Sequence, residues 1–280
     1  MIRIVADSSC CISQEEAKKL NIEIISLPID IDNETYYDGV TLSTTEFYQK
    51  LVQCKNLPMT SQPSPLEFIE RFEEAQKNGD SVLVITLSSK ISGTFESACL
   101  CKRESGYSEI EVVDSLTTID AMAMIVKEAV KMRETMNVHE LAEYLNKFKK
   151  RCKAIASIET LEYLSKGGRL SGTAKVLGTM LNIKPIIAVI DGEIKMIDKK
   201  IGTKNAQEYV LNLAKNGNID TTYPVCIQYA VDKKRAEYTA QRLQEITDVK
   251  DIYFSEISGV VGSHIGPGAC AIIYIEKEYI

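Results

Sequence analysis

The sequence predicts an α/β protein of two domains, a parallel α/β/α sandwich followed by a mixed-sheet α/β domain. Three observations carry that prediction. Strand-like runs alternate with helix-like segments through the first half, the pattern of a parallel sheet with helices on both faces. Residues 82–85, Val-Leu-Val-Ile, form a continuous apolar run rich in β-branched side chains, as expected of a strand buried on both faces. In the second half, two strand-like runs, 183–190 and 193–197, flank Asp191-Gly192, which is a hairpin signal and makes that sheet at least partly antiparallel. A chain of 280 residues exceeds a typical single domain. A change of domain is placed near Ser157, giving 1–157 and 158–280.

Taken in order, residues 2–6 read as a strand that ends in the polar cluster Asp7-Ser8-Ser9. Ser13 and Glu16 have capping-box spacing and open a short helix, and Ser43 and Glu46 repeat the device ahead of Phe47 and Leu51. Residues 22–31 between them read as one strand. Ser64-Pro65 starts a helix whose inner face carries Phe68, Phe72 and Ala75, stopped at Asn78-Gly79. The central strand 82–85 leads through Ser88-Ser89-Lys90-Ile91-Ser92-Gly93-Thr94 into another helix. A strand at 110–113, a helix at about 118–133 and an Asn137-capped helix complete the first half, with His139 on the surface at the first turn of the last. A short helix then ends at Gly167-Gly168-Arg169. After the hairpin, helices are expected at about 203–215 and 233–246, and strands at 225–229, 252–255 and 271–275. Between the last two strands, Gly262, Gly266 and Gly268 frame His264 on what reads as a constrained loop.

Composition excludes several functions. The net charge of -6, from 39 acidic and 33 basic residues, argues against nucleic-acid binding. No window approaches the roughly 20 apolar residues of a membrane-spanning helix, and the N-terminus lacks a signal peptide's apolar core, so a cytoplasmic location is expected. Eight cysteines without a C-x-x-C, and only two histidines, make a zinc site improbable and suggest reduced thiols. No phosphate loop, dinucleotide fingerprint, H-E-x-x-H or G-x-S-x-G elbow occurs.

What remains are hydroxyl-rich loops at strand ends and a glycine-framed histidine. In open α/β sheets ligands bind beyond the carboxyl ends of the strands, and the first N–H groups of a helix favour anions. A small ligand with a carboxylate or phosphate head suits the Ser88–Thr94 turn. A serine acyl hydrolase or acyltransferase is the alternative, with Ser92 as nucleophile, His264 as base and Asp7 or Asp114 as orienter.

Five motifs in order, Thr60-Ser61-Gln62-Pro63-Ser64-Pro65, Ser88 to Thr94, Leu161-Glu162-Tyr163-Leu164-Ser165-Lys166-Gly167-Gly168-Arg169, Leu181-Asn182-Ile183-Lys184-Pro185 and Gly262-Ser263-His264-Ile265-Gly266-Pro267-Gly268, resemble those of the DegV family over essentially the whole chain. The family comprises bacterial fatty-acid-binding proteins, some of them lipid-presenting subunits of a fatty acid kinase. The resemblance implies an acyl chain held at the domain interface, with its carboxylate on Thr60, Ser61, Ser92 and His264. It places Arg169 at the headgroup opening or kinase contact, with Ser89, Gly93, Gly262 and Gly266 as further loop candidates. It implies no cofactor and no metal, only the fatty acid as bound ligand. The partners it implies are a long-chain fatty acid, a separate ATP-binding kinase subunit acting in phospholipid synthesis and, transiently, a membrane surface. No catalysis by this chain alone is expected. Where family members often carry G-T-H-T-G-P-G, this chain has Ser263 and Ile265, keeping one hydroxyl and losing the other.

Overall fold

The computed structural model describes residues 1–171 and 182–278, so Leu181 of the fourth motif lies outside the described residues. The strands are β1 (Ile2–Asp7), β2 (Glu23–Ile25), β3 (Pro28–Ile31), β4 (Glu34–Tyr37), β5 (Met59–Thr60), β6 (Ser81–Thr86), β7 (Ile110–Asp114), β8 (Cys152–Ser157), β9 (Ile183–Ile190), β10 (Glu193–Ile201), β11 (Val225–Tyr229), β12 (Ile252–Glu256) and β13 (Cys270–Ile275). The helices are α1 (Gln14–Leu20), α2 (Thr44–Leu51), α3 (Leu66–Asn78), α4 (Thr94–Ser105), α5 (Ile119–Met132), α6 (Val138–Phe148), α7 (Glu162–Lys166), α8 (Thr203–Lys215), α9 (Lys233–Ile246) and α10 (Gly259–Ile265).

A four-stranded parallel sheet runs β2-β1-β6-β7, and a six-stranded mixed sheet runs β10-β9-β8-β13-β11-β12. Helices α3 and α4 cover the outer face of the first sheet, and α8 and α9 the outer face of the second. Between the sheets lie α5 and α6. Helix α5 explains itself by composition: Ile119 to Val126 are all buried, because the helix packs on β1 and on β8 and β13. The largest core cluster is therefore shared by both halves rather than divided between them.

Three sequence expectations are corrected. Residues 22–31 are two strands in two sheets. The Leu27 N–H is taken by the Ser8 hydroxyl at 3.1 Å and its carbonyl by the Asp38 N–H, so the ladder breaks there. β3 then pairs antiparallel with β4 and β5 in a small third sheet, and the turn into β4 is made by Asp32 and Asn33, both at positive φ. Second, Cys152–Ser157 pairs with β9 and β13, so sheet membership changes before Cys152 and not at Ser157.

Third, the glycine-framed histidine segment is a helix, α10, and not a loop. Its glycines serve contact more than turning. A Cβ on Gly262 would lie 2.7 Å from Phe47 Cε1 and 2.8 Å from the Tyr48 hydroxyl, and one on Gly259 would lie 2.9 Å from Phe47 Cγ. The helix thus rests directly on α2. Gly262→Ala is expected to destabilise the protein by about 1–3 kcal/mol, as overpacking of a tight core does. A denaturation midpoint equal to that of the parent protein would show that α2 yields freely.

Candidate functional site

In the first sheet the chain moves outward from β1 to β2 on one side and from β6 to β7 on the other. The crevice beyond the carboxyl ends of β1 and β6 is therefore a topological switch point, where α/β proteins hold ligands. Three strand-end segments meet there: Asp7-Ser8-Ser9 after β1, residues 87–92 after β6, and residues 115–118 after β7. The buried Asp7 carboxylate ties the first two, accepting from the Leu87 N–H at 2.7 Å and from the Ser9 N–H at 3.1 Å. Ser88 N–H donates to the Thr117 carbonyl at 2.8 Å, tying the second to the third. The second half closes the crevice: Ser88 Oγ donates to the Gly192 carbonyl in the β9–β10 turn at 2.7 Å.

Opposite these loops stands His264, at the C-terminal end of α10. Its Nε2 and the Thr60 hydroxyl are 2.6 Å apart, and its Nδ1 is buried without a hydrogen-bond partner. Burial, and to a lesser degree the neighbouring Arg169 guanidinium, pull its pKa down to about 4, so the ring is neutral at pH 7. With its proton on Nε2, Thr60 accepts that bond and its own hydroxyl proton is free to donate to an anion. Gly167 makes room for the ring, since a Cβ there would lie 2.3 Å from Nδ1. Arg169 is fixed near the same spot, its Nε donating to the Ile91 carbonyl at 3.2 Å and its guanidinium to the Gly167 carbonyl.

Three connected cavities meet at His264. An outer basin is bordered by Lys55, Lys166, Arg169 and Tyr163. A throat is lined by Thr60, Ser61, Ser92, Arg169, His264 and Val261. Beyond it is an inner chamber whose walls include Thr118, Ile119, Ala154, Ala156, Leu164, Ile187 and Ala271. The throat shares Thr60 and Arg169 with the basin, and Thr118, Ile194 and Val261 with the chamber. The three spaces therefore adjoin in a graded order, a cationic mouth, a hydroxyl-lined throat and an almost wholly apolar chamber between the sheets, the last two with about 50 Å³ of open space each. Ala156 on β8 faces Ala271 on β13 across the ladder, and both small side chains line the chamber.

The structure thus brings Thr60, Ser61, Ser92, Arg169 and His264 around one throat. The other loop candidates lie elsewhere. Ser89 uses its N–H on Asp114 at 3.2 Å, and Gly93, at the start of α4, abuts the Gln62 side chain. Gly262 packs on α2, and Gly266, at φ +72°, leaves space for the Tyr163 ring. Sequence reasoning missed the chamber walls and Gly167. The period-two placement of Ala154 and Ala156 was the one available signal.

The geometry does not assemble a serine triad. Ser92 Oγ bonds Thr94 Oγ1 at 2.9 Å while His264 bonds Thr60. Neither expected orienter reaches His264 Nδ1, for Asp7 holds Ser9 and Leu87, and Asp114 holds the N–H groups of Ser89 and Leu116. Among the described residues there is no cluster of histidine, cysteine and carboxylate side chains able to hold a metal ion, and no helix long and apolar enough to cross a membrane.

Comparison with known proteins gives a consistent answer. The family model described as "Uncharacterised protein, DegV family" matches residues 1–277. A DegV domain-containing protein of Caldanaerobacter subterraneus subsp. tengcongensis is 35% identical over 279 residues, covering 99% of both chains. Among solved structures, a fatty-acid-binding DegV family protein from Streptococcus agalactiae superposes with a TM-score of 0.90 at 26% identity, covering 99% of each chain. DegV of Bacillus subtilis, described as a fatty acid binding protein, gives 0.86 at 28% identity, again over 99% of each chain. The chain belongs to the DegV family.

Proposed function

We propose that this DegV-family chain binds one long-chain fatty acid and presents its carboxylate to a separate ATP-binding kinase subunit for acyl phosphate formation in phospholipid synthesis. The observation that carries the reading is the graded polarity of the three adjoining spaces that all border His264. The carboxylate sits in the throat against Thr60, Ser61, Ser92 and His264, and the chain runs into the apolar chamber between the halves. A carboxylate removed from water needs donors, because an unpaired buried charge costs several kcal/mol. Hydroxyls supply them, and the neutral imidazole, by donating to the Thr60 hydroxyl, frees that hydroxyl's own proton for the carboxylate. Burying about fourteen methylenes contributes roughly 11 kcal/mol, against association costs of about 4–15 kcal/mol. Solved relatives described as fatty acid binding support the ligand class.

The test is native mass spectrometry of the purified protein, with extraction and identification of any copurified lipid. A mass equal to the bare chain, together with no uptake of added stearate, would remove the reading. The outer basin is assigned to the kinase and to transient contact with a membrane surface, and the chain is expected to consume neither ATP nor acyl esters alone. Arg169 borders both basin and throat, and its guanidinium suits a developing acyl phosphate. Arg169→Ala is therefore expected to retain fatty-acid affinity within a few-fold and to lose acyl phosphate formation with the cognate kinase. Lost lipid binding in that variant would reverse the division of labour.

A further inference from the structure

Two buried carboxylates stand behind the headgroup throat, and neither lines it. Asp7 and Asp38 are each 2% exposed, and neither has a salt-bridge partner among the described residues. Asp7 supports one side of the throat. It accepts from the Leu87 N–H at 2.7 Å, and Leu87 opens the turn that carries Ser92. Asp38 supports the other side. It lies near Ser258 and the first N–H groups of α10, those of Gly259 and Val260, with its Oδ2 buried and without a hydrogen-bond partner, and α10 carries His264 at its far end. Ser8 follows Asp7 in the chain and lies near Asp38, and its hydroxyl accepts the Leu27 N–H at 3.1 Å.

Resting on the fatty-acid reading, we infer that Asp7 and Asp38, with Ser8 beside them, are positioning residues that set the distance between the Ser92 turn and the His264 helix, and so the geometry of the carboxylate cradle. The alternative is that they are ordinary structural supports, and the arrangement argues against it. A neutral side chain of the same shape would meet the shape requirement without burying two charges that have no salt-bridge partner among the described residues. Burial pushes each carboxylate up to about 6, and Asp7 feels the charge of Asp38 as well. The other titratable groups facing the pair are Cys10 and Cys11 from the same turn and Tyr48 from α2, all held neutral by burial.

The sign of the pH dependence follows. A carboxyl whose folded pKa is raised binds protons more readily in the folded state, so its stabilising contribution is full below the unfolded value of 3.8 and is lost as pH rises through about 6. Asp38→Asn should therefore melt at or above the parent temperature near pH 7.5, and this advantage should disappear near pH 5.

The experiment measures thermal unfolding at both pH values and the affinity of a dansylated undecanoic acid at neutral pH, for the parent protein, Asp38→Asn, Asp7→Asn and Ser8→Ala. The expected result for Asp38→Asn is an affinity lowered roughly tenfold with no loss of melting temperature. Ser8→Ala leaves both carboxylates in place and should show a smaller loss of affinity, which keeps the inference testable if an Asp variant fails to fold. Unchanged affinity in all three variants would overturn the positioning role, as would affinity that falls only in step with melting temperature. A parent protein that does not take the probe would overturn the fatty-acid reading itself, and this inference with it.

Discussion

Replacing His264 by alanine is expected to raise the dissociation constant for a long-chain fatty acid by roughly 10- to 150-fold, the effect of losing a hydrogen bond worth about 1.5–3 kcal/mol to a charged partner. Two losses coincide in this variant. The carboxylate loses an imidazole beside the throat, and Thr60 loses the 2.6 Å contact that orients its hydroxyl. Gly167→Ala separates position from chemistry, because it keeps the imidazole but puts a methyl group 2.3 Å from where Nδ1 stands. The ring must move, so binding should weaken although every polar group remains. Isothermal titration with oleate would decide it, and parent-like affinity in both variants would end the assignment of His264 to the headgroup. A pH signature accompanies the substitution. The folded pKa of about 4 lies below the ordinary 6.5, so the unfolded chain binds the proton more readily. Parent stability is therefore drawn down as pH falls from 6.5 toward 4, and His264→Ala should not share that loss.

Local rules made much of this fold legible. Helices α8 and α9 have the bounds that apolar periodicity gives, and the hairpin at Asp191-Gly192 has both turn residues at positive φ. What escaped depended on contacts distant in sequence. Nothing near Leu27 marks it as the place where a ladder breaks, because the cause is a hydroxyl nineteen positions away, on Ser8. The glycines around His264 were read through their backbone freedom, whereas Gly259 and Gly262 are there for their missing side chains, which let α10 lie on Phe47 and Tyr48. A glycine's two uses look alike in one sequence. The throat shows the same division. Its hydroxyls announced themselves as polar clusters at strand ends, but Asp38 stands alone in sequence and gains meaning only when α10 folds over it. The chamber was least visible of all, being defined by side chains that are small.

That smallness gives the largest effect expected. Ala156→Phe should abolish binding of long acyl chains while leaving short ones nearly untouched. Ala156 is buried on the inner face of the mixed sheet, opposite Ala271 on β13 and Ile187 on β9, and it lines the chamber. A phenyl ring placed there needs more than the about 50 Å³ open in the chamber, so it also costs the fold about 1–3 kcal/mol of repacking, which a melting curve reads separately. A ring of that size displaces about four methylenes, which at ~0.8 kcal/mol each would weaken binding more than a hundredfold. Because Thr60 and Ser92 line the throat and not the chamber, the headgroup contacts expected there should survive. The loss must therefore depend on chain length. Titration with a series from decanoate to stearate should give affinities that rise with length in the parent protein and reach a plateau in the variant. Equal weakening of every length would mean that the ring had disturbed the throat instead. An unchanged series would place the acyl chain outside this chamber, and with it would go the reading that the space between the two sheets is what the protein is built to fill.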